Sequence, residues 1–114
     1  MSKAAPDPVQ ALRGLDGLDA LLQHRSRLGA CVLLTTADAL SFSRLKELLQ
    51  ETDGNLGAQL RKLEDAGYVQ VNKVFESRKP VSWYSLTPEG KKALNKHLAA
   101  MGMLVGNGSA NQTK

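Results

Sequence analysis

Between positions 55 and 62, Asn55, Gln59, Arg61 and Lys62 set two carboxamides and two cations close together. A carboxamide presents a donor beside an acceptor, which matches a base edge, while guanidinium and ammonium groups bond phosphate oxygens or guanine. One good bidentate contact of this kind is worth about 1–3 kcal/mol of discrimination between bases. Leu56, Leu60 and Leu63 are interleaved with these residues at spacings of four and three. At 100° per residue the leucines share a narrow sector; Asn55, Ala58 and Lys62 point roughly away from it, and Gln59 and Arg61 flank it. The free face is therefore polar, basic and, at Gly57 and Ala58, low in bulk. Alone, such a face is also what the solvated side of any amphipathic helix looks like. A second basic group, Lys73, Arg78 and Lys79, follows on the next element, and two such features in succession suit a phosphate backbone.

The elements needed to hold these residues can be read around them. Leu15, Leu18, Leu21 and Leu22 recur at helical spacing, and with the apolar run 28–34 they predict one long or kinked helix. A short extended piece near 41–43 follows, with Ser43 as cap of a second helix carrying Leu45, Leu48 and Leu49. The third helix, 53–66, opens at Asp53 or Gly54, and Gly67 suits its left-handed C-cap. Two β-rich runs, 68–75 and 81–87, predict an antiparallel hairpin in which Pro80 limits pairing near the tip. Thr87-Pro88-Glu89 is a helix start, and Leu94, Leu98, Met101 and Val105 line the last helix. The fold class is thus mainly α with a small antiparallel hairpin, in the order helix, strand, helix, helix, strand, strand, helix. Such a chain, with a short helix, a tight turn and a second helix free to enter a groove about 12 Å wide, is a helix-turn-helix.

The motif LKELLQETDGNLGAQLRKLEDAGYVQVNK, followed by WYSLTPEGKKAL, resembles the winged-helix transcriptional regulators, in particular the compact single-domain group related to the MarR and ArsR classes. In that family L..LEDAGYV leads from the recognition helix into the wing. Y.LT..G...L, here Tyr84, Leu86, Thr87, Gly90 and Leu94, marks the return strand and the helix after it. The resemblance implies a homodimer on a pseudo-palindromic operator, usually as a repressor, with half-sites about 34 Å apart. It carries the recognition helix onto Asn55–Lys62 and the wing tip onto Arg78 and Lys79, within a wing of 73–80. Relatives commonly have hydroxyl or larger polar residues and a histidine where this chain has Gly57, Ala58 and Gln59, so its contacts differ there.

The bulk properties agree with one domain spanning 15–105, a frayed N-terminal stretch 1–14 and a disordered tail 106–114. Net charge is +4, with six Lys/Arg against seven Asp/Glu in residues 1–60 but eight against four in 61–97, so the basic excess sits with the candidate site. The leucines of the first helix and the stripe of the last exceed what a three-helix core needs. Leu15, Leu18, Leu21, Leu22, Leu94, Leu98, Met101 and Val105 are therefore expected to pair across a twofold axis, the alternative being that both stripes complete the core of a monomer. No apolar run spans a bilayer and no hydrophobic signal region is seen, which together with a single cysteine points to the cytoplasm. His24, Cys31 and His97 lack metal-site spacing, no carboxylate pair suggests acid–base work, and there is no phosphate-binding glycine motif, so neither cofactor, metal nor enzyme chemistry is expected. The expected partner is double-stranded DNA, and nothing in the sequence assigns an effector. A protein-docking module is the alternative use of the same exposed helix.

Overall fold

The computed structural model describes residues 7–105. Its helices are α1 (Pro8–Gly17), α2 (Arg25–Leu33), α3 (Phe42–Leu49), α4 (Asp53–Asp65) and α5 (Pro88–Leu104). Its strands are β1 (Leu40–Ser41), β2 (Val69–Glu76) and β3 (Lys79–Leu86), forming an antiparallel sheet in the order β1-β3-β2.

The expected first helix is instead two helices separated by a 3₁₀ turn at Ala20–Leu22. Side-chain caps interrupt it. The Asp19 carboxylate accepts from the Leu21 N–H at 2.9 Å, and His24 Nδ1 accepts from the Ser26 N–H at 3.1 Å. Both bonds offer the backbone a partner that a continuous helix would not need. The stretch 8–14, expected to be frayed, is helical because Asp7 caps it and Pro8 occupies its first turn. The remainder of that expectation, like the tail 106–114, falls outside the described residues.

Leu22, Leu34, Leu45, Leu49, Leu56, Leu60, Leu63, Val69 and Leu94 form one core, with Cys31 inside it. Each buried leucine contributes about 1.5–3 kcal/mol. Burial, with Asp19 adding its charge, pushes the Cys31 thiol up to about 12, so it packs as a neutral group. Two residues expected at a twofold axis belong here instead: Leu22 and Leu94 are buried within the single chain. Leu94 is buried together with His97 and Ala100 on one side of α5, whereas Leu98, Met101 and Val105 lie along its exposed flank.

α1 lies along α5, and the close approach is made by small residues. A Cβ on Gly17 would stand 2.9 Å from that of Ala100. A half-buried network ties this pair to the rest: His97 Nδ1 accepts from the Asp19 N–H at 2.9 Å, and the Tyr68 hydroxyl donates to the Asp19 carboxylate. That bond, with burial, pushes the Tyr68 phenol up to about 12.

At the foot of α5, Thr87 caps the helix by accepting from the Gly90 N–H at 2.9 Å, while its hydroxyl donates to the Gly67 carbonyl at 2.6 Å. Gly90 here presses on the backbone, since an added Cβ would lie 2.1 Å from the Tyr68 carbonyl oxygen. Gly90→Ala is expected to lower stability by about 3 kcal/mol, because neither helix nor strand can yield without breaking these bonds. Urea unfolding checks it as a lower midpoint at unchanged slope.

Candidate nucleic-acid interface

α4 starts where its sequence says it must. The Thr52 hydroxyl accepts from the Asn55 N–H at 3.1 Å, and Asp53 sits in the positive first turn. It ends before Gly67, whose φ of 81° gives the left-handed turn into β2. The preceding turn is tight: α3 closes at Gln50, itself left-handed with φ 55°, and only Glu51 and Thr52 intervene before Asp53. Lys46 Nζ bridges the turn to the Asp53 carboxylate at 2.8 Å. α3 is capped by Ser41, whose hydroxyl accepts from the Arg44 N–H at 3.1 Å, and not by Ser43. Ser43, to which the cap was assigned, is exposed in the first turn, two residues after the true cap.

Leu56, Leu60 and Leu63 are buried, and Asn55, Ala58, Arg61 and Lys62 are exposed on the other side of α4. Gly57 is half-buried, yet a Cβ placed there would meet nothing within 4 Å, so the surface at this point is open to close approach. Arg61 is held by Asp65 one turn on, at 3.2 Å. Lys62, Lys73, Arg78 and Lys79 make no ion pair among the described residues.

Gln59 corrects the expected face. It is only 8% exposed, and its Oε1 accepts from the Arg27 guanidinium of α2. At 100° per residue Gln59 lies beside the leucine seam, and α2 crosses α4 on that flank; the carboxamide is spent inside the protein. Gln59→Ala is expected to leave the order of preferred DNA sequences unchanged while lowering stability by about 1 kcal/mol, since Arg27 loses one of its two acceptors and keeps the Leu21 carbonyl. Selection from random duplexes and urea midpoints check the two halves.

Asn55 remains at the surface but is partly committed, its amide donating to the Glu51 carboxylate. Glu51 also accepts from the Ser26 hydroxyl and stands 3.6 Å from Arg25. The Ser26 bond first, then that from Asn55, hold the Glu51 carboxyl below the usual carboxylate range. Glu51 thereby braces the turn against α2. Ser26, Arg27 and Glu51 carry no local sequence signal for these positioning roles, because their partners lie 25 or more residues away or on another helix.

The hairpin is tighter than expected. Glu76 pairs with Lys79 and Phe75 with Pro80, leaving only Ser77 and Arg78 in the turn. Both have positive φ, 50° and 66°, the pattern whose twist suits a two-residue hairpin. Asparagine and glycine are the usual occupants; an arginine there costs about 1–2 kcal/mol and projects its cation from the very tip. Pro80 does not limit pairing, because in this register Phe75 and Pro80 form a non-hydrogen-bonded pair. Its missing N–H would face the β1 edge, and β1 reaches only Trp83 and Tyr84. On one face of the hairpin Val69, Tyr84 and Leu86 pack toward the helices, with the Tyr84 phenol raised by burial and by Glu64 of α4. Lys73 and Phe75 continue that face outward.

Two helices across a tight turn, with a sheet whose hairpin extends beside the second, define a winged helix-turn-helix. The family model of the winged helix DNA-binding domain matches residues 26–105, and the chain belongs to that family. It is 32% identical over 72 residues to an uncharacterized protein of Methanocaldococcus jannaschii, covering 63% of this chain and 78% of that one. The fold is also that of a transcriptional regulator homologue from Pyrococcus horikoshii, at TM-score 0.75 and 26% identity over 82% of this chain and 94% of the other. A MarR family transcriptional regulator from Streptomyces coelicolor, solved in complex with DNA, shares the fold at TM-score 0.60 and 23% identity, over 85% and 68% of the two chains. The chain is thus a winged helix DNA-binding protein whose fold is shared with regulators of the MarR class. Among the described residues no helix is long and apolar enough to cross a membrane.

Proposed function

We propose that the chain is a homodimeric repressor that reads a pseudo-palindromic operator in double-stranded DNA. In this reading α4 enters the major groove, with Asn55 at a base edge, Gly57 and Ala58 permitting close approach, and Arg61 and Lys62 on base or phosphate. Ser43, at the start of α3, bonds phosphate, and Lys73, Arg78 and Lys79 hold the backbone beside the wing. The supporting observation is that Lys62 on α4 and Lys73, Arg78 and Lys79 on the hairpin are all exposed and, among the described residues, make no ion pair. The S. coelicolor regulator of the same fold was solved in complex with DNA, which supports the same partner here.

The twofold axis is assigned to α1 and the outer part of α5. Leu98, Met101 and Val105 form one stripe, exposed by 42%, 38% and 81%, and Leu15 on α1 is exposed too; Leu18 and Leu21 are half-buried beside them. Apolar side chains in this number call for a cover, and a second copy supplies one by symmetry.

Fluorescence anisotropy on duplexes selected from random DNA tests the reading. Inverted repeats about one helical turn apart, bound with a steep salt dependence, are the expected result. Failure to bind any duplex at low salt would sink it, and affinity for a protein surface that ignores salt would favour the docking role.

A further inference from the structure

Phe75 is the feature of the wing that neither folding nor phosphate binding explains. It is 73% exposed and lies outside the core cluster, although the same strand buries Val69. Its cross-strand neighbour is Pro80, in the non-hydrogen-bonded kind of pair that brings side chains closest. The two rings form an apolar tip on the sheet face that, nearer the body, packs on the helices.

The charges on this face of the tip and in its turn are of one sign. Lys73 stands two residues back on the same face and Arg78 sits in the turn, while Lys79, paired with Glu76, lies on the other face. The one nearby acid, Glu76, points to the opposite face, where its carboxylate accepts from the Trp83 indole N–H at 3.2 Å. An apolar edge flanked by cations and cleared of anions matches the minor groove, whose walls are phosphates and whose floor is stacked bases.

The geometry points to Phe75, backed by Pro80, as a wedge that enters the minor groove and partly unstacks one base step, bending the duplex. Pyrimidine–purine steps such as TA unstack most easily, so the wedge reads DNA by deformability and prefers such a step under the wing. Pro80 and the two-residue turn stiffen the strand against the reaction of the bases. This inference rests on the DNA-binding reading of the same wing.

The test uses two duplexes with identical selected half-sites, one carrying TA and the other AA under each wing, labelled at both ends for energy transfer. Wild type is expected to bend the TA duplex and bind it about tenfold more tightly than the AA duplex. Phe75→Ala is expected to bind both equally, leave them straight and keep the wild-type salt slope; Phe75→Leu, still an apolar wedge, keeps most of the bend. A Phe75→Ala protein that retains both the bend and the TA preference would overturn the wedge while leaving the DNA-binding reading intact. A change in its oligomeric state by light scattering would also overturn the wedge, because the tip would then be covered by a second copy. Wild type that binds neither duplex would overturn the two together. Because the side chain is exposed, an unaltered urea midpoint is expected for Phe75→Ala, which separates these outcomes from misfolding.

Discussion

Leu98→Asp combined with Met101→Asp is expected to convert a dimer into a monomer and to weaken binding to an inverted repeat by about 10³-fold. Both side chains are surface residues of the single chain, so the charges fall on water when the partner is absent and the fold survives. In the dimer the same two aspartates would meet their symmetry mates in an apolar seam. An isolated carboxylate there loses its hydration without gaining a partner, and a C2 interface doubles every such cost. Operator affinity falls because the second half-site is no longer delivered at the high effective concentration that linkage provides, while the affinity of one protomer for one half-site stays as it was. Light scattering and anisotropy on whole and half operators check the two statements separately. Were the variant still dimeric, the axis would lie elsewhere; Leu94 is unsuitable for this test, being part of the core.

Arg78→Ala with Lys79→Ala is expected to weaken binding to all duplexes alike, by about 10³-fold at physiological salt for a dimer with two wings. Each phosphate contact adds about 0.9 to the slope of log affinity against log salt, so four lost contacts flatten it by up to about 3.6. The order of preferred sequences is expected to hold, because these cations touch phosphate rather than base edges. Asn55→Ala is the contrasting variant, shifting preference with little change in slope. An unaltered slope after removal of both wing cations would show that the wing does not touch the backbone. Removing Arg78 also relieves a positive φ only if glycine replaces it, so alanine keeps the turn's strain comparable and isolates the charge.

Much of the fold is written locally. Thr52, the leucine seam of α4 and Gly67 specify where that helix starts, which side it buries and where it ends, and each acts within a few residues of itself. Thr87 and Pro88 do the same for α5, and the alternating run from Val69 specifies a strand with one buried face. The hairpin's basic tip needs only a turn and strands on either side to be displayed. These are properties of backbone dihedrals, caps and period, which the order of side chains along the chain sets directly.

Other decisions were made only by elements meeting across the fold. Gln59 and Asn55 look alike in sequence, yet Arg27, 32 residues before Gln59, draws the first inward and leaves the second at the surface. Glu51 becomes a brace because Ser26 stands opposite it, and Asp19 gathers Tyr68 and His97 from two distant elements. Leu94 and Leu98 share one stripe of α5, yet the face that the fold covers runs through Leu94, His97 and Ala100, which makes the first core and the second surface. The period of a helix states which residues share a face. The angle and height at which a neighbour crosses that face decide which of them it covers, and this is settled by packing between residues far apart in the chain.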